Sequence, residues 1–140
     1  INEAVEMKSR FPDFFAGFDL VGKESLGSSL LGFLPQLLKA AESGIKFFFH
    51  AGETAWHGTE IDENLFDAIL LNATRIGHAY ALASHPYLAQ EVQQRGIAVE
   101  NCPISNQVLK LVDDFRNHPV VPLMTEGFPL VIGSDDPGEN

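Results

Sequence analysis

Groups that could bind a metal, move a proton or hold a ligand stand directly after four apolar runs of the sequence. They are Gly22, His50 with Glu53, His78, and Asp135 with Asp136. An imidazole and a carboxylate that come from different strands suit a zinc ion. A catalytic zinc ion lowers the pKa of a bound water toward neutrality, which leaves the remaining acids and histidine free for proton transfer. The pattern therefore indicates a catalytic zinc site.

Each of these motifs is weak when it is taken alone. The run at 47–49 could be a strand that ends in polar residues for no functional reason, and the paired aspartates at 135–136 could be a solvated turn. A chance scatter of polar residues, however, should not fall so regularly at the ends of apolar runs. The set of four is much more specific than any one of its members.

The elements predicted to position these residues alternate between strands and helices. Strands are expected at 14–20, 45–49, 75–77, 97–99 and 128–132, and the run at 45–49 reads as covered on both faces. Helices are expected at 1–10, from Ser28 or Ser29 to Glu42 with a kink or delay at Pro35, from Asp62 as a cap, from 84–86 to Arg95, around 108–115 and around 119–126. Such alternation predicts a parallel sheet with right-handed crossovers. In an α/β barrel the carboxyl ends of all strands open onto one face, so the polar groups would converge there.

Composition limits the classes of partner. The chain has 140 residues, of which 45% are hydrophobic and 20% charged, and its formal charge is -10. This acidic balance argues against nucleic acid and against an anionic membrane surface, and favours a neutral substrate or a cation. The single Cys102 cannot form an internal disulfide, and no apolar run is long enough to cross a membrane. The first residues do not read as a signal peptide. Because the sequence starts without methionine and stops just after a polar Ser-Asp-Asp-Pro turn, we expect it to be part of a longer protein.

Four motifs resemble those of the adenosine deaminases, in the family's order and at compatible spacings. They are Phe-His-Ala-Gly-Glu at 49–53, Arg-Ile-Gly-His at 75–78, Cys-Pro-Ile-Ser-Asn at 102–106 and Ser-Asp-Asp-Pro at 134–137. Three further segments look like the secreted branch of the family, the adenosine deaminase-related growth factors: 17–22, 53–56 and 106–112. The resemblance covers essentially the whole chain. It implies a partial metal-dependent hydrolase domain over residues 1–140, namely strands four to eight of a (β/α)8 barrel.

The resemblance also implies a role for each polar group. His50 looks like a zinc ligand, and Asp135 looks like a second zinc ligand that also touches the attacking water. Glu53 resembles the acid that protonates the purine ring at N1, and His78 resembles the residue that orients the water and helps to take its proton. These assignments imply one zinc ion per site.

The implied substrate contacts lie on three other residues. Asp136 looks like the group that holds the purine at N7, and Gly22 looks like the backbone donor to N3. Trp56 is expected either to wall the mouth of the pocket or, equally, to pack as a loop aromatic on the barrel rim. Asn72 begins an Asn-Ala-Thr glycosylation sequon, which agrees with the secreted branch.

The sequence also departs from the family pattern. The His-x-His pair that supplies two further zinc ligands is absent, and Ala79 replaces a common glycine, which reads as a mild change. His57, His85 and His118 are expected to face solvent. We therefore expect the 140-residue chain to be inactive and not to fold or bind zinc normally by itself.

The implied activity is the hydrolysis of adenosine and 2′-deoxyadenosine to the inosines and ammonia by a secreted full-length protein, with a homodimer possible. One alternative is a truncated or inactive relative that acts as a secreted binding or growth-factor module. An AMP-directed relative would need cationic groups for the phosphate, which the acidic balance disfavours. A cytidine-deaminase-like enzyme would need a Pro-Cys-x-x-Cys motif, and Cys102 stands alone.

Overall fold

The strands and helices alternate along the chain, as the sequence predicts. A computed structural model describes residues 1–22, 24–54 and 58–135. Within these ranges the strands are β1 (His50–Ala51), β2 (Arg75–His78), β3 (Ala98–Asn101) and β4 (Leu130–Ile132). The α-helices are α1 (Asn2–Arg10), α2 (Leu34–Glu42), α3 (Glu63–Leu70), α4 (Pro86–Arg95), α5 (Pro103–Val108) and α6 (Val120–Thr125). The fold is therefore α/β.

The strands form one parallel sheet in the order β1-β2-β3-β4. Neighbouring strands in the sheet are also neighbours in the sequence, which is the arrangement of a barrel wall. All four strands run in the same direction, so their carboxyl ends meet along one edge. We call this edge, which comprises the last two residues of each strand and the residues that follow them, the carboxyl edge.

The first two predicted strands differ from the observed backbone. The segment at 14–20 does not form a regular strand. It contributes a single parallel bridge, between Phe18 and Phe47. The segment at 45–49 is hydrogen-bonded on both sides, with Phe18 N–H donating to Lys46 O and Gly77 N–H donating to Phe49 O. It continues into β1, so His50 lies within the strand and not after it.

Most predicted helix ranges are confirmed, but one predicted helix and the predicted caps are not. Ser29 precedes the 3-10 turn before α2 and makes no side-chain capping hydrogen bond. Pro35 lies in the first turn of α2, after a 3-10 turn at Leu30–Phe33, which is the predicted delay. The helix predicted around 108–115 is wrong: α5 begins at Pro103, a residue whose fixed φ favours the first helical position, and ends at Val108. Asp62 precedes α3, but its side chain accepts from the N–H of Gly58 and does not cap the helix.

The core lies between the sheet and the helices that cover its outer face. Its fully buried apolar side chains include Leu37, Phe47, Phe49, Leu65, Ile76, Leu82, Val92 and Val99. Phe47 and Phe49 stack with their ring centroids 4.7 Å apart. Phe48 points the other way and is only half-buried, so the expectation that this run is covered on both faces holds only in part. Among the described residues, none of the helices has the length and apolar character needed to cross a bilayer.

Candidate active site

Four of the predicted site residues meet at the carboxyl edge. The buried ring of His78 is at their centre, with its Nδ1 2.7 Å from Glu53 Oε1 and its Nε2 3.6 Å from Asp135 Oδ2. The ring of His50 lies beside it, with 5.0 Å between the two centroids. Three strand ends thus bring two imidazoles and two carboxylates into one cluster, which we call the His78 cluster.

The close approach of the two histidines depends on a glycine. Gly77 is the register partner of His50 across the β1–β2 pair. A Cβ atom at Gly77 would lie 3.2 Å from the His50 ring, which is closer than most real Cβ contacts. The glycine of the Arg-Ile-Gly-His motif therefore makes room for the His50 imidazole over the neighbouring strand.

His50 is oriented by an acid to which sequence reasoning gave no role. Its Nδ1 lies 2.9 Å from Asp19 Oδ2. Burial would lower the pKa of His50, but the hydrogen bond and charge of Asp19, helped by the charges of Glu53 and Asp135, outweigh burial and raise it. A histidine whose Nδ1 is held by a carboxylate presents Nε2 to a ligand, as metal-binding histidines do. The available signal in the sequence was the position of Asp19 near the carboxyl end of the strand predicted at 14–20.

A second acid missed by sequence reasoning holds the turn that carries Glu53. Gly52 has φ +76, a conformation that L side chains rarely adopt, and both Gly52 N–H and Glu53 N–H donate to the carboxylate of Glu24. Burial, opposed by hydrogen bonds from Asn64 and from the two backbone groups, raises the pKa of Glu24. The sequence around Glu24 contained no motif that would have signalled this contact.

Three of the five non-glycine residues with positive φ in the described ranges lie at or next to the same cluster. His78, Ala79 and Asp135 have φ values of 62°, 46° and 63°. These values lie in the left-handed region, which is unfavourable for residues with a Cβ atom. Such residues persist where the surrounding structure requires them, and they cluster at functional sites. For Ala79 this means that the replacement of a glycine is not simply mild, because it adds about 1 kcal/mol of backbone strain that the buried methyl group offsets in part.

The charge balance and donor atoms of the His78 cluster fit a cation. The charges of Asp19, Glu53 and Asp135 all act on His50, and no lysine or arginine forms an ion pair with the three acids within the described ranges. Glu53 Oε1 and His78 Nδ1 are buried without a hydrogen bond of acceptable geometry to any described residue, despite their short separation. Imidazole nitrogens and carboxylate oxygens are the ligands that zinc accepts in catalytic sites.

A second possible ligand set overlaps with the one predicted from the sequence. Ligand atoms of His78, Cys102 and Asp135 all lie within 4.8 Å of one another. Burial, followed by the charges of Asp135 and Glu100, raises the pKa of Cys102 to about 11. The Asp19 contact, however, orients the His50 imidazole so that its Nε2 can bind a metal ion. We therefore favour His50 over Cys102.

Two other predicted site residues, Gly22 and Asn72, lie outside the cluster. Gly22 is exposed and shares a small cavity of about 110 Å³ with His50 and Glu24. Asn72 is exposed in the turn after α3, near the opposite end of the sheet from the cluster. Asp136 and Trp56 lie outside the described residues, as does His57.

Two histidines that were expected to face solvent, His118 and His85, are buried and half-buried. His118 is buried, with its Nε2 3.0 Å from Asn106 Oδ1 and its Nδ1 accepting from Val120 N–H, so this expectation is wrong. Burial lowers the pKa of His118, which favours the neutral ring that this pairing needs. His85 is half-buried and its Nε2 lies 2.8 Å from Asp62 Oδ1. It lines a groove of about 710 Å³ along the starts of α3 and α4, outside the His78 cluster.

The chain is similar in sequence to adenosine deaminases. The sequence profile of the family described as "Adenosine deaminase" matches residues 1–139. The chain is 52% identical over 139 residues to adenosine deaminase 2 of Sus scrofa, and 53% identical over 139 residues to that of Homo sapiens. In both cases the match covers 98% of this chain and 27% of the relative. It is 54% identical over 131 residues to an adenosine deaminase of Aedes albopictus, covering 94% of this chain and 24% of that one. The chain thus spans about a quarter of the length of the curated relatives it matches.

Solved structures of deaminases and of an amidohydrolase superpose on most of the chain. The N6-methyl-AMP deaminase of Arabidopsis thaliana superposes with a TM-score of 0.80 at 25% identity, over 99% of this chain and 40% of that one. The adenine deaminase of Arthrobacter aurescens gives 0.77 at 26% identity, over 99% and 42%. An amidohydrolase of Burkhoderia ambifaria with bound zinc gives 0.77 at 26% identity, over 97% and 38%. These similarities confirm the predicted fold class, a partial (β/α)8 barrel.

Proposed function

Because this chain belongs to the adenosine deaminase family, we propose that it supplies the acid–base half of a zinc-dependent adenosine deaminase active site. The reaction is the hydrolysis of adenosine and 2′-deoxyadenosine to inosine and 2′-deoxyinosine with release of ammonia. The observation that carries the proposal is the contact of His78 with both Glu53 and Asp135. This contact joins a proton donor, a proton acceptor and a metal-binding carboxylate around one buried ring.

Zinc fits the residues that are present. His50 through Nε2 and Asp135 through a carboxylate oxygen would hold it, together with ligands from the rest of the protein. When bound, the metal supplies Lewis acidity that makes water a good nucleophile at neutral pH. The His-x-His pair expected of the family is absent from these residues, so the full-length protein is the catalytic unit.

The residues of this chain would divide the proton transfers between them. His78 orients the attacking water and accepts its proton as the water oxygen bonds to C6 of the purine. Glu53 gives a proton to N1, which makes C6 more electrophilic. The proton taken up by His78 then passes to the amino group, which leaves C6 as ammonia, while the hydroxyl proton at C6 returns to Glu53 as the carbonyl of inosine forms. Asp136 would hold N7 and the backbone of Gly22 would hold N3. Trp56 would lie at the pocket mouth.

The purified full-length protein should release ammonia from adenosine and from 2′-deoxyadenosine, and a chelator should abolish this release. AMP and N6-methyl-AMP should react at least about 100-fold more slowly in kcat/KM, because the acidic chain offers little to pair with a phosphate. The measurement is steady-state ammonia release for the four substrates, before and after removal and return of zinc. The 140-residue chain alone is the control and should release none. A preference for AMP, or activity that survives complete metal removal, would contradict the proposal.

Secretion and dimerisation remain proposals that rest on the resemblance to the growth-factor branch. The exposed position of Asn72, away from the His78 cluster, is compatible with a glycan there. An inactive growth-factor module is the competing function. A zinc-loaded full-length protein that binds adenosine without releasing ammonia would favour that function.

Asp19→Asn in the full-length protein should weaken zinc binding by about 10- to 100-fold, because an amide supports the His50 imidazole less well than a carboxylate does. The measurement is zinc retention against a competing chelator. The matched control is Asp13→Asn, the same change at an exposed residue outside the cluster. Equal zinc retention in wild type and Asp19→Asn would remove Asp19 from the support of the site.

A further inference from the structure

Glu24 is a largely buried acid that belongs neither to the predicted site nor to the proposed proton transfers. It opens the 3-10 turn Glu24–Leu26, in the loop that follows Gly22. Its Oε2 accepts from Glu53 N–H at 2.6 Å and its Oε1 accepts from Gly52 N–H at 3.1 Å. Both oxygens of one carboxylate therefore hold successive backbone donors of the turn that carries Glu53.

This turn depends on such a partner. Gly52 is in the left-handed conformation, so the backbone leaves the ladder of β1 here and its N–H groups can no longer pair as they do within the sheet. Buried backbone donors that lack a partner are costly, and a carboxylate is a stronger acceptor for them than a neutral group. On the other side of the turn, the carbonyl of Gly52 accepts from Ala81 N–H at 2.9 Å. The turn is thus held from both sides.

Glu24 is itself held in place by α3. The buried side chain of Asn64 donates through Nδ2 to Glu24 Oε1 at 3.1 Å and accepts through Oδ1 from Leu30 N–H at 2.8 Å. Asn64 is therefore used at both ends of its amide, which fixes the orientation of that amide and aims a donor at Glu24. The chain of contacts runs from the first turn of α3, through Glu24, to the backbone of Glu53.

We propose that Glu24 is a positioning residue for Glu53: it fixes the 52–53 turn and thereby sets the approach of the Glu53 carboxylate to His78. The inference deepens the proposed function and rests on it. Glu53 Oε1 lies 2.7 Å from His78 Nδ1, and its position follows from the backbone that Glu24 holds. A displacement of about 1 Å in a reacting group can lower the rate by about 100-fold.

The test is Glu24→Gln in the full-length zinc-loaded protein, compared with Glu63→Gln as the matched control. Gln keeps the length of the side chain but has one acceptor oxygen, so one of the two turn N–H groups loses its partner. Glu63 is exposed on α3 next to Asn64, and the control makes the same charge change there. Glu24→Gln should lower kcat for adenosine by about 10- to 100-fold, with KM within about 3-fold of wild type and zinc content unchanged. Glu63→Gln should change neither constant.

Hydrogen exchange gives a readout that does not depend on the catalysed reaction. Peptides covering 49–54 should exchange about 10-fold faster in Glu24→Gln than in wild type or in Glu63→Gln. Unchanged exchange would overturn the positioning role, whether or not the wild type deaminates adenosine. A wild type that does not deaminate adenosine, together with the expected difference in exchange, would contradict the proposed function alone. Faster exchange with unchanged kcat would also overturn it. If Glu24→Gln does not fold, Glu24→Asp, which keeps both acceptor oxygens on a shorter side chain, should show the same fall in kcat without a matching change in KM.

Discussion

Glu53→Gln in the full-length protein should lower kcat for adenosine by about 100- to 10,000-fold while KM changes little. The amide keeps the shape of the side chain and can still donate a hydrogen bond to N1. It cannot give up a proton as the transition state forms, so stabilisation present only in that state is lost. The short contact between Glu53 and His78 places the substitution beside the proton acceptor, and the zinc content should remain that of wild type.

Two comparison variants make this result specific. Glu60→Gln changes an exposed acid of the same loop region and should leave kcat unchanged. Asp136→Asn should change kcat and KM together, because the proposed N7 contact holds both the ground state and the aligned substrate. The measurement is steady-state deamination with metal analysis of each variant. A Glu53→Gln protein with near-normal kcat would remove Glu53 from the mechanism.

His50→Ala should reduce zinc affinity by more than about 100-fold, and Asp135→Ala should do the same. Loss of a group that only supports a ligand already costs about 10- to 100-fold, and loss of the ligand itself should cost more. Deamination should fall in proportion to the zinc that is lost, and should return in part at high zinc concentration. The measurement is zinc content after dialysis, together with activity titrated against added zinc.

Controls separate the two possible ligand sets. Cys102→Ser should retain zinc if His50 and Asp135 are the ligands, whereas it should lose zinc if the set of His78, Cys102 and Asp135 binds the metal. His85→Ala makes the same substitution as His50→Ala at a histidine outside the His78 cluster, and it should retain zinc. Normal zinc retention in His50→Ala would exclude His50 from the site.

The sequence by itself determined the alternation of strands and helices and the residues that end the apolar runs. Both are local properties. A strand that is covered on both faces is typically a run of apolar residues, and a polar group at the end of such a run lies near the edge of the sheet. His50, Glu53, His78 and Asp135 could therefore be identified before their separations were known. The motifs around them, read as a set, also indicated the family.

Local patterns misplaced some elements. The helix expected around 108–115 begins instead at Pro103, because the fixed φ of proline at the first helical position outweighed the apolar spacing further along. His118 was expected in solvent from its position before a helix, but it is buried, and its two ring nitrogens find partners in Asn106 of α5 and in Val120 at the start of α6. In each case a specific contact or backbone constraint was stronger than an averaged tendency.

Only the tertiary structure decided how the site is held together. Asp19 and His50 are 31 residues apart, and Glu24 and Glu53 are 29 residues apart, so no local spacing links either pair. They meet because parallel strands bring their carboxyl ends to one edge, where the connecting loops must satisfy buried backbone and imidazole donors with whatever acceptors the neighbouring loop provides. The sequence could supply these acids, but only the packing of one loop against the next determines which donor each of them binds.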